Sequence, residues 1–303
     1  MTAPSSGPGI SPVWWTGQHS IATQHRRGGY NPATQFDRDQ VPPKIAAHAI
    51  ATFTRPGDLV LDPACGAGTV VTEALYASRR AIGLTTDPRW RRVARLNIGT
   101  ARRNGAPRPG TVLLGDLDLL EVAEAASLAG QVDLMLTSLR GCHPGTPAGD
   151  PPGESASDNA FRMLAGALAW SLLLLRPGGY AVVVIKPTRS AGRLLDLTSS
   201  VLRLGQAAGL RPIGRGVALT ARVRGQQVYT GAGLAERDAA HRAQAAGTPI
   251  ALTAHRDVVI FTVPEVPDNL LKVAVPAGLP VFGAALTQRR RTAWLDRTAG
   301  WAA

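Results

Sequence analysis

The residues best suited to chemistry lie in one run, Val60-Leu61-Asp62-Pro63-Ala64-Cys65-Gly66-Ala67-Gly68-Thr69. An apolar stretch ends in a carboxylate, two glycines shape a tight turn, and a helical pattern follows. Glycine has no Cβ, so such a turn lets a ligand approach the backbone. In open parallel sheets ligands gather at the carboxyl ends of strands. The run lacks the third glycine of a dinucleotide fingerprint and the Lys-Ser/Thr ending of a phosphate loop. Two further carboxylates occupy comparable places, Asp87 in Gly83-Leu84-Thr85-Thr86-Asp87-Pro88 and Asp116 in Gly115-Asp116. A carboxylate at the end of the second strand, near Asp87, can accept hydrogen bonds from both hydroxyls of a ribose, and Asp116 at the end of the third can contact a ligand. Each also suits the N-cap of the helix that follows it, and both roles stay open.

Alternating strand and helix patterns must position these residues. Ile45 to Phe53 reads as a short helix between Pro42-Pro43 and Pro56-Gly57. Strands are predicted at Leu59–Leu61, Ala81–Thr85, Thr111–Leu114, Val132–Leu136, Tyr180–Ile185, Val217–Val223 and Asp257–Val263. Helices are predicted at Val70–Ala77, Arg89–Arg103, up to Leu128, at Phe161–Leu175 and at Leu194–Ala208. Repeated β-α units imply a mainly parallel sheet with helices on both faces, the last two strands being candidates for an antiparallel pair. Residues 141 to 158 form a long Gly/Pro/Ser-rich loop, and 225 to 256 an insertion with a helix from Leu234 to Ala246. The predicted organisation is a flexible N-terminal arm at 1–40, one domain at 41–265 and a basic tail at 266–303. The plainest reading of Trp14, Trp15 and Tyr30 is packing of that arm over the sheet.

The 303 residues carry 33 basic and 21 acidic side chains, a net charge of +12, and a 45% hydrophobic content sufficient for a core. All but Lys44, Lys186 and Lys272 of the basic residues are arginines. The excess is compatible with a nucleic-acid partner. Arg89 to Arg103 and Arg289 to Arg291 are the candidate phosphate contacts, with a solvated helix face and a mobile tail as the plainer readings. Cys65 and Cys142 cannot build a disulfide framework, the six histidines lack metal-ligand spacing, and Cys142-His143 lacks an orienting third group. The longest apolar run, Leu164 to Leu175, is too short for a bilayer, and no signal-peptide pattern opens the chain. The expectation is a cytoplasmic protein without a membrane partner, its oligomeric state open.

The run from Asp62 to Thr69 resembles motif I of S-adenosylmethionine-dependent methyltransferases. It is most similar to the N4-cytosine and N6-adenine amino-methylating DNA methyltransferases, whose string is of the DPFCGSGT type. Asp62, Pro63, Cys65, Gly66, Gly68 and Thr69 match, and Ala64 stands for Phe. Arg55 to Val60 resembles the lead-in of that family, and Pro43 to Ile50 its cofactor-side helix. The resemblance implies a Rossmann-like class I methyltransferase fold with a seven-stranded sheet. It implies S-adenosylmethionine as cofactor, its methionine part at the Asp62–Thr69 turn and its adenine amino group at Asp116. The ribose acceptor of the family falls on Thr85, which has no carboxylate, and Asp87 is the substitute.

Members of that family also carry Asn/Asp/Ser-Pro-Pro-Tyr/Phe after the fourth strand. There the first side chain and a proline carbonyl hold the target amine, and the aromatic residue stacks on a flipped base. Here the residues are Ser138-Leu139-Arg140-Gly141, so Ser138 is the candidate catalytic residue, and the rigid turn and stacking platform are missing. Three readings follow: a methyltransferase acting on an amino group of a DNA base, DNA being favoured over RNA; a catalytically impaired nucleic-acid-binding descendant; or an RNA or small-molecule methyltransferase.

Overall fold

The computed structural model describes residues 11–117, 127–141, 156–190 and 193–264. The N-terminal segment contributes β1 (Val13–Trp14), α1 (Ile21–Arg27), a 3-10 turn (Pro32–Phe36) and α2 (Pro43–Phe53). Then come β2 (Leu59–Asp62), α3 (Thr69–Tyr76), β3 (Arg80–Thr85), α4 (Pro88–Arg103), β4 (Gly110–Leu114) and β5 (Val132–Ser138). Next are α5 (Ala156–Leu174), β6 (Leu175–Ile185), the short strands β7 (Arg189–Ser190) and β8 (Arg193–Leu194), and α6 (Leu197–Ala207). The chain continues through β9 (Arg211–Leu219), β10 (Arg222–Arg224), β11 (Gln227–Tyr229), α7 (Leu234–Ala245) and β12 (His255–Thr262).

The main sheet has the order β1-β9-β12-β6-β5-β2-β3-β4. Only β12 runs against its neighbours, pairing antiparallel with β6 (Val259↔Val183) and with β9 (Val259↔Arg215). All other pairs in it are parallel. The sheet is Rossmann-like and wound on both sides, and its pleat sorts alternate residues into two cores. Leu61, Met135, Val183 and Phe261 pack with Leu168 and Val201 of α5 and α6. Val60, Leu134, Val182 and Ile260 pack with Ile50, Val70 and Ile98 of α2, α3 and α4. Burial on both faces explains why β2 reads as an unbroken apolar run.

Several predicted boundaries move. The sheet has eight strands rather than seven, because Val13–Trp14 adds beside Val217–Ala218. Residues 11–40, predicted as an arm outside the domain, supply this strand and a cover over the carboxyl end of β2. Trp14, only 1% exposed, packs against His48 and Phe53 of α2. The sixth predicted strand lies at Arg211–Leu219 rather than at Val217–Val223. Its Arg/Gly alternation conceals a strand held by pairing to β12. Helix α5 ends at Leu174 because Leu175 already pairs with Val132, and the Pro177-Gly178-Gly179 irregularity is taken up inside β6. Helix α6 starts three residues later than predicted, where the Asp196 carboxylate accepts the Ser199 N–H. No helix among the described residues is long and apolar enough to cross a membrane. Cys142, His143 and most of the 141–158 loop lie outside the described residues. So do most of the helix before Leu128 and the tail with Lys272 and Arg289–Arg291.

Candidate functional site

A cleft of about 610 Å³ opens at the carboxyl ends of β2, β3, β4 and β5. That size lies within the range of small-molecule sites. Of the residues singled out by the sequence, Pro63, Gly66, Asp87, Asp116 and Ser138 line it. Asp62, Cys65, Gly68 and Thr69 lie behind this wall and hold it. The structure also brings Asp39, Trp90, Arg140, Arg162 and Trp170 to the cleft.

The turn is shaped by close approach. Gly66 has φ +50°, and a Cβ there would fall 2.1 Å from the Asp37 carboxylate. Gly68 caps α3 with φ +77°, and its Cβ would meet that of Ala94 at 2.7 Å. The Cys65 N–H donates to the Leu84 carbonyl (2.7 Å), tying the turn to β3. Burial pushes the Cys65 thiol well up, so it stays protonated and packs as an apolar group. Asp62 is 4% exposed. Its carboxylate accepts from the Ala64 N–H (3.1 Å) and the Thr137 hydroxyl (3.0 Å). Burial still pushes its pKa up to about 7, against these bonds and the nearby Arg140.

The N-terminal segment covers the turn through buried polar contacts. The Asp37 carboxylate accepts from the Ala67 N–H (2.9 Å) and pairs with Arg140 at 2.5 Å. Burial lowers the Arg140 guanidinium, but Asp37, Asp39 and Asp62 outweigh it and raise it. Gln40 donates to the Thr34 and Asp37 carbonyls and accepts from the Thr69 hydroxyl. Asn97 of α4 donates to Thr34 Oγ1 and the Ala67 carbonyl and accepts from the Asn31 N–H. Three segments distant in sequence therefore meet at Ala67.

The loop after β5 is held by the same cover. Ser138 donates its hydroxyl proton to the Asp39 carbonyl, and the Gly141 N–H donates to the Asp39 carboxylate (2.9 Å). Leu139 is buried, its N–H donating to Val184. Arg140 does not project as an isolated cation: it folds back onto Asp37. The Ser138 oxygen, with its proton committed, retains lone pairs that can accept from an N–H.

At the other end, the Asp87 carboxylate accepts the Arg89 N–H (2.7 Å) and pairs with the Arg89 guanidinium at 3.3 Å. Burial opposes its ionisation, but these donors hold its pKa below the ordinary value. The N-cap role is therefore filled, while the side chain remains on the cleft wall. Asp116 follows Gly115, whose N–H donates to Thr85. Thr85 itself is buried and accepts from the Asp87 N–H.

Sequence reasoning missed Asp37, Asp39, Gln40 and Asn97. The local hint is the pair of acids in Phe36-Asp37-Arg38-Asp39-Gln40, just before Pro42-Pro43. Their partners lie 30 to 103 residues away.

Residues 5–95 match the family model described as DNA methylase. The match spans the N-terminal cover, the glycine turn and the start of α4, and stops before the Ser138 loop. No curated protein matches the chain. Among solved structures, it is similar to a TehB-like SAM-dependent methyltransferase from Corynebacterium glutamicum. The identity is 16%, with 72% of this chain and 86% of that one covered and a TM-score of 0.40. A methyltransferase from Pyrococcus furiosus gives 14% identity, 80% and 96% coverage and a TM-score of 0.44. Geranyl diphosphate C-methyltransferase from Streptomyces coelicolor gives 12%, 74% and 81%, and 0.45.

Proposed function

We propose that the chain is an S-adenosylmethionine-dependent methyltransferase acting on an amino group of a DNA base. The observation that carries this reading is the cleft itself. One concave site at the strand ends joins the glycine turn, the carboxylates Asp87 and Asp116, and the Ser138 oxygen. The bare backbone at Gly66, whose Cβ space is filled by Asp37 and Arg140, lets the N-terminal cover and the loop after β5 close against the turn and complete the cleft wall. When bound, S-adenosylmethionine supplies a methyl group activated on a sulfonium.

The residues of the chain do the rest. Asp116 holds the adenine amino group, Asp87 the ribose hydroxyls, and the Pro63–Gly68 backbone the amino-acid end. Asp39, on the cleft wall, offers negative charge to a cationic ligand. Ser138 accepts a hydrogen bond from the acceptor amine and so aligns its lone pair, since positioning is the main contribution in a direct displacement. The DNA methylase match over residues 5–95 supports the substrate class.

The test is calorimetric titration with S-adenosylmethionine and S-adenosylhomocysteine, followed by transfer of labelled methyl to duplex DNA. Both ligands bind the wild type, Asp116→Ala weakens them at least tenfold, and digested DNA yields N6-methyladenine or N4-methylcytosine. Absence of binding by either ligand overturns the reading. A second reading, a nucleic-acid-binding protein impaired in catalysis, is favoured by the burial of Leu139 in the core and by the pairing of Arg140 with Asp37, which leave the loop without a stacking platform. Under it, S-adenosylhomocysteine binds and no DNA, RNA or small molecule is methylated.

A further inference from the structure

We infer that the groove between α4 and the edge strand β4 binds the phosphodiester backbone of a nucleic acid. It has a volume of about 390 Å³ and is walled by Arg91, Arg95 and Arg102 of α4 and by Gly110–Leu113 of β4. Positions i, i+4 and i+11 fall on one stripe of a helix, so the three guanidinium groups share a face spanning roughly 16 Å. None of the three has a carboxylate or other hydrogen-bond partner among the described residues. Arg89, on the same helix, is by contrast paired with Asp87.

Two further observations point to an anion. The Nε of Arg91 is shielded from solvent and has no acceptor among the described residues, so the hydrogen-bonding capacity of this guanidinium is unspent within the described residues. Among the described residues β4 closes the sheet, with no strand on its outer side. A guanidinium fork matches phosphate oxygens, and three such forks with no acid among the described residues lining the groove suit a polyanion of repeating charge. The groove also begins at the rim of the cleft, because Trp90, the residue before Arg91, lines that cleft. A strand held along α4 therefore runs toward the site. The inference rests on the nucleic-acid part of the function proposed above, and is separable from its chemistry because binding is read without cofactor.

The experiment is fluorescence anisotropy with labelled 20-base-pair DNA, 20-base-pair RNA and 20-nucleotide DNA, between 50 and 200 mM KCl. Each neutralised phosphate contributes a slope of about 0.9 in log affinity against log salt for duplex DNA and about 0.7 for single strands. The triple variant R91Q/R95Q/R102Q should lose a slope of about 2.7 on duplex DNA. The wild type's excess affinity over it then shrinks about 40-fold across that salt range. R95Q/R102Q, which leaves the half-buried Arg91 in place, should lose a slope of about 1.8, two-thirds of the loss in the triple variant, and guards against a folding defect. R224Q/R237Q/R242Q removes equal charge from exposed positions elsewhere and should match the wild type. Equal losses in the two triple variants overturn the inference, as does tighter wild-type binding of polyglutamate than of every nucleic acid. Absence of any nucleic-acid binding at 50 mM KCl also overturns it. Retained binding in a protein that ignores S-adenosylmethionine leaves this inference standing and removes the methyltransferase reading.

Discussion

The Asp37–Arg140 pair links the N-terminal cover to the loop after β5, and its removal gives the sharpest quantitative expectation. The Asp37 side chain is 1% exposed and that of Arg140 25%. Breaking a buried pair by removing one member costs about 3–5 kcal/mol. Asp37 keeps the Ala67 N–H, and Arg140 is partly in water, so R140M should cost about 2–3 kcal/mol. D37N leaves the guanidinium near Asp39 and Asp62 and should cost about 1–2 kcal/mol. The double variant D37N/R140M leaves neither charge stranded and should cost no more than about 2 kcal/mol, a coupling of at least about 1 kcal/mol. Urea titrations followed by tryptophan fluorescence give the four free energies of the cycle. Single costs that sum to the double within about 0.5 kcal/mol would falsify the claim that these side chains act as one unit.

Asp62 gives a pH signature. Its carboxyl loses its proton near pH 4 in the unfolded chain and at about 7 in the folded one. The folded state therefore binds the extra proton between these values. The contribution to stability is complete below about pH 4 and is lost as pH rises to about 7, at a slope of at most about 1.4 kcal/mol per pH unit. D62N should flatten that limb in denaturant melts from pH 4 to 8; an unchanged limb sinks the assignment. N97A strands the Ala67 carbonyl and the Asn31 N–H and should cost about 2–4 kcal/mol by urea titration. Ser138→Ala should leave affinity for S-adenosylhomocysteine unchanged while lowering labelled methyl transfer at least tenfold, and unaltered transfer removes Ser138 from the mechanism. G68A forces φ +77° on a residue with a Cβ pressed on Ala94. It should lower Tm by several degrees, whereas an unchanged Tm means that the turn relaxes freely.

What could be read without the structure was local. The order of strands and helices, the Asp62–Thr69 turn and the Asp87 cap follow from periodicity, glycine placement and the Asp-Pro dipeptide, each acting over a few residues. β9 escaped because its Arg/Gly-rich sequence has no strand pattern of its own, and it is ordered by a register with β12 some 40 residues later. The acid nearest before Arg140 in sequence, Asp133, pairs with Arg176, and the loop Ser138-Leu139-Arg140-Gly141 holds none that could neutralise Arg140. Its counter-ion is Asp37, 103 residues away. Sequence alone was enough for an α/β sheet and for a glycine turn that resembles motif I of methyltransferases. Tertiary structure alone decided that residues 31–40 cover that turn and that Asp62 is a buried carboxyl behind the cleft wall rather than part of it. Burial and charge pairing depend on distances through space, which a chain reveals only once it is folded.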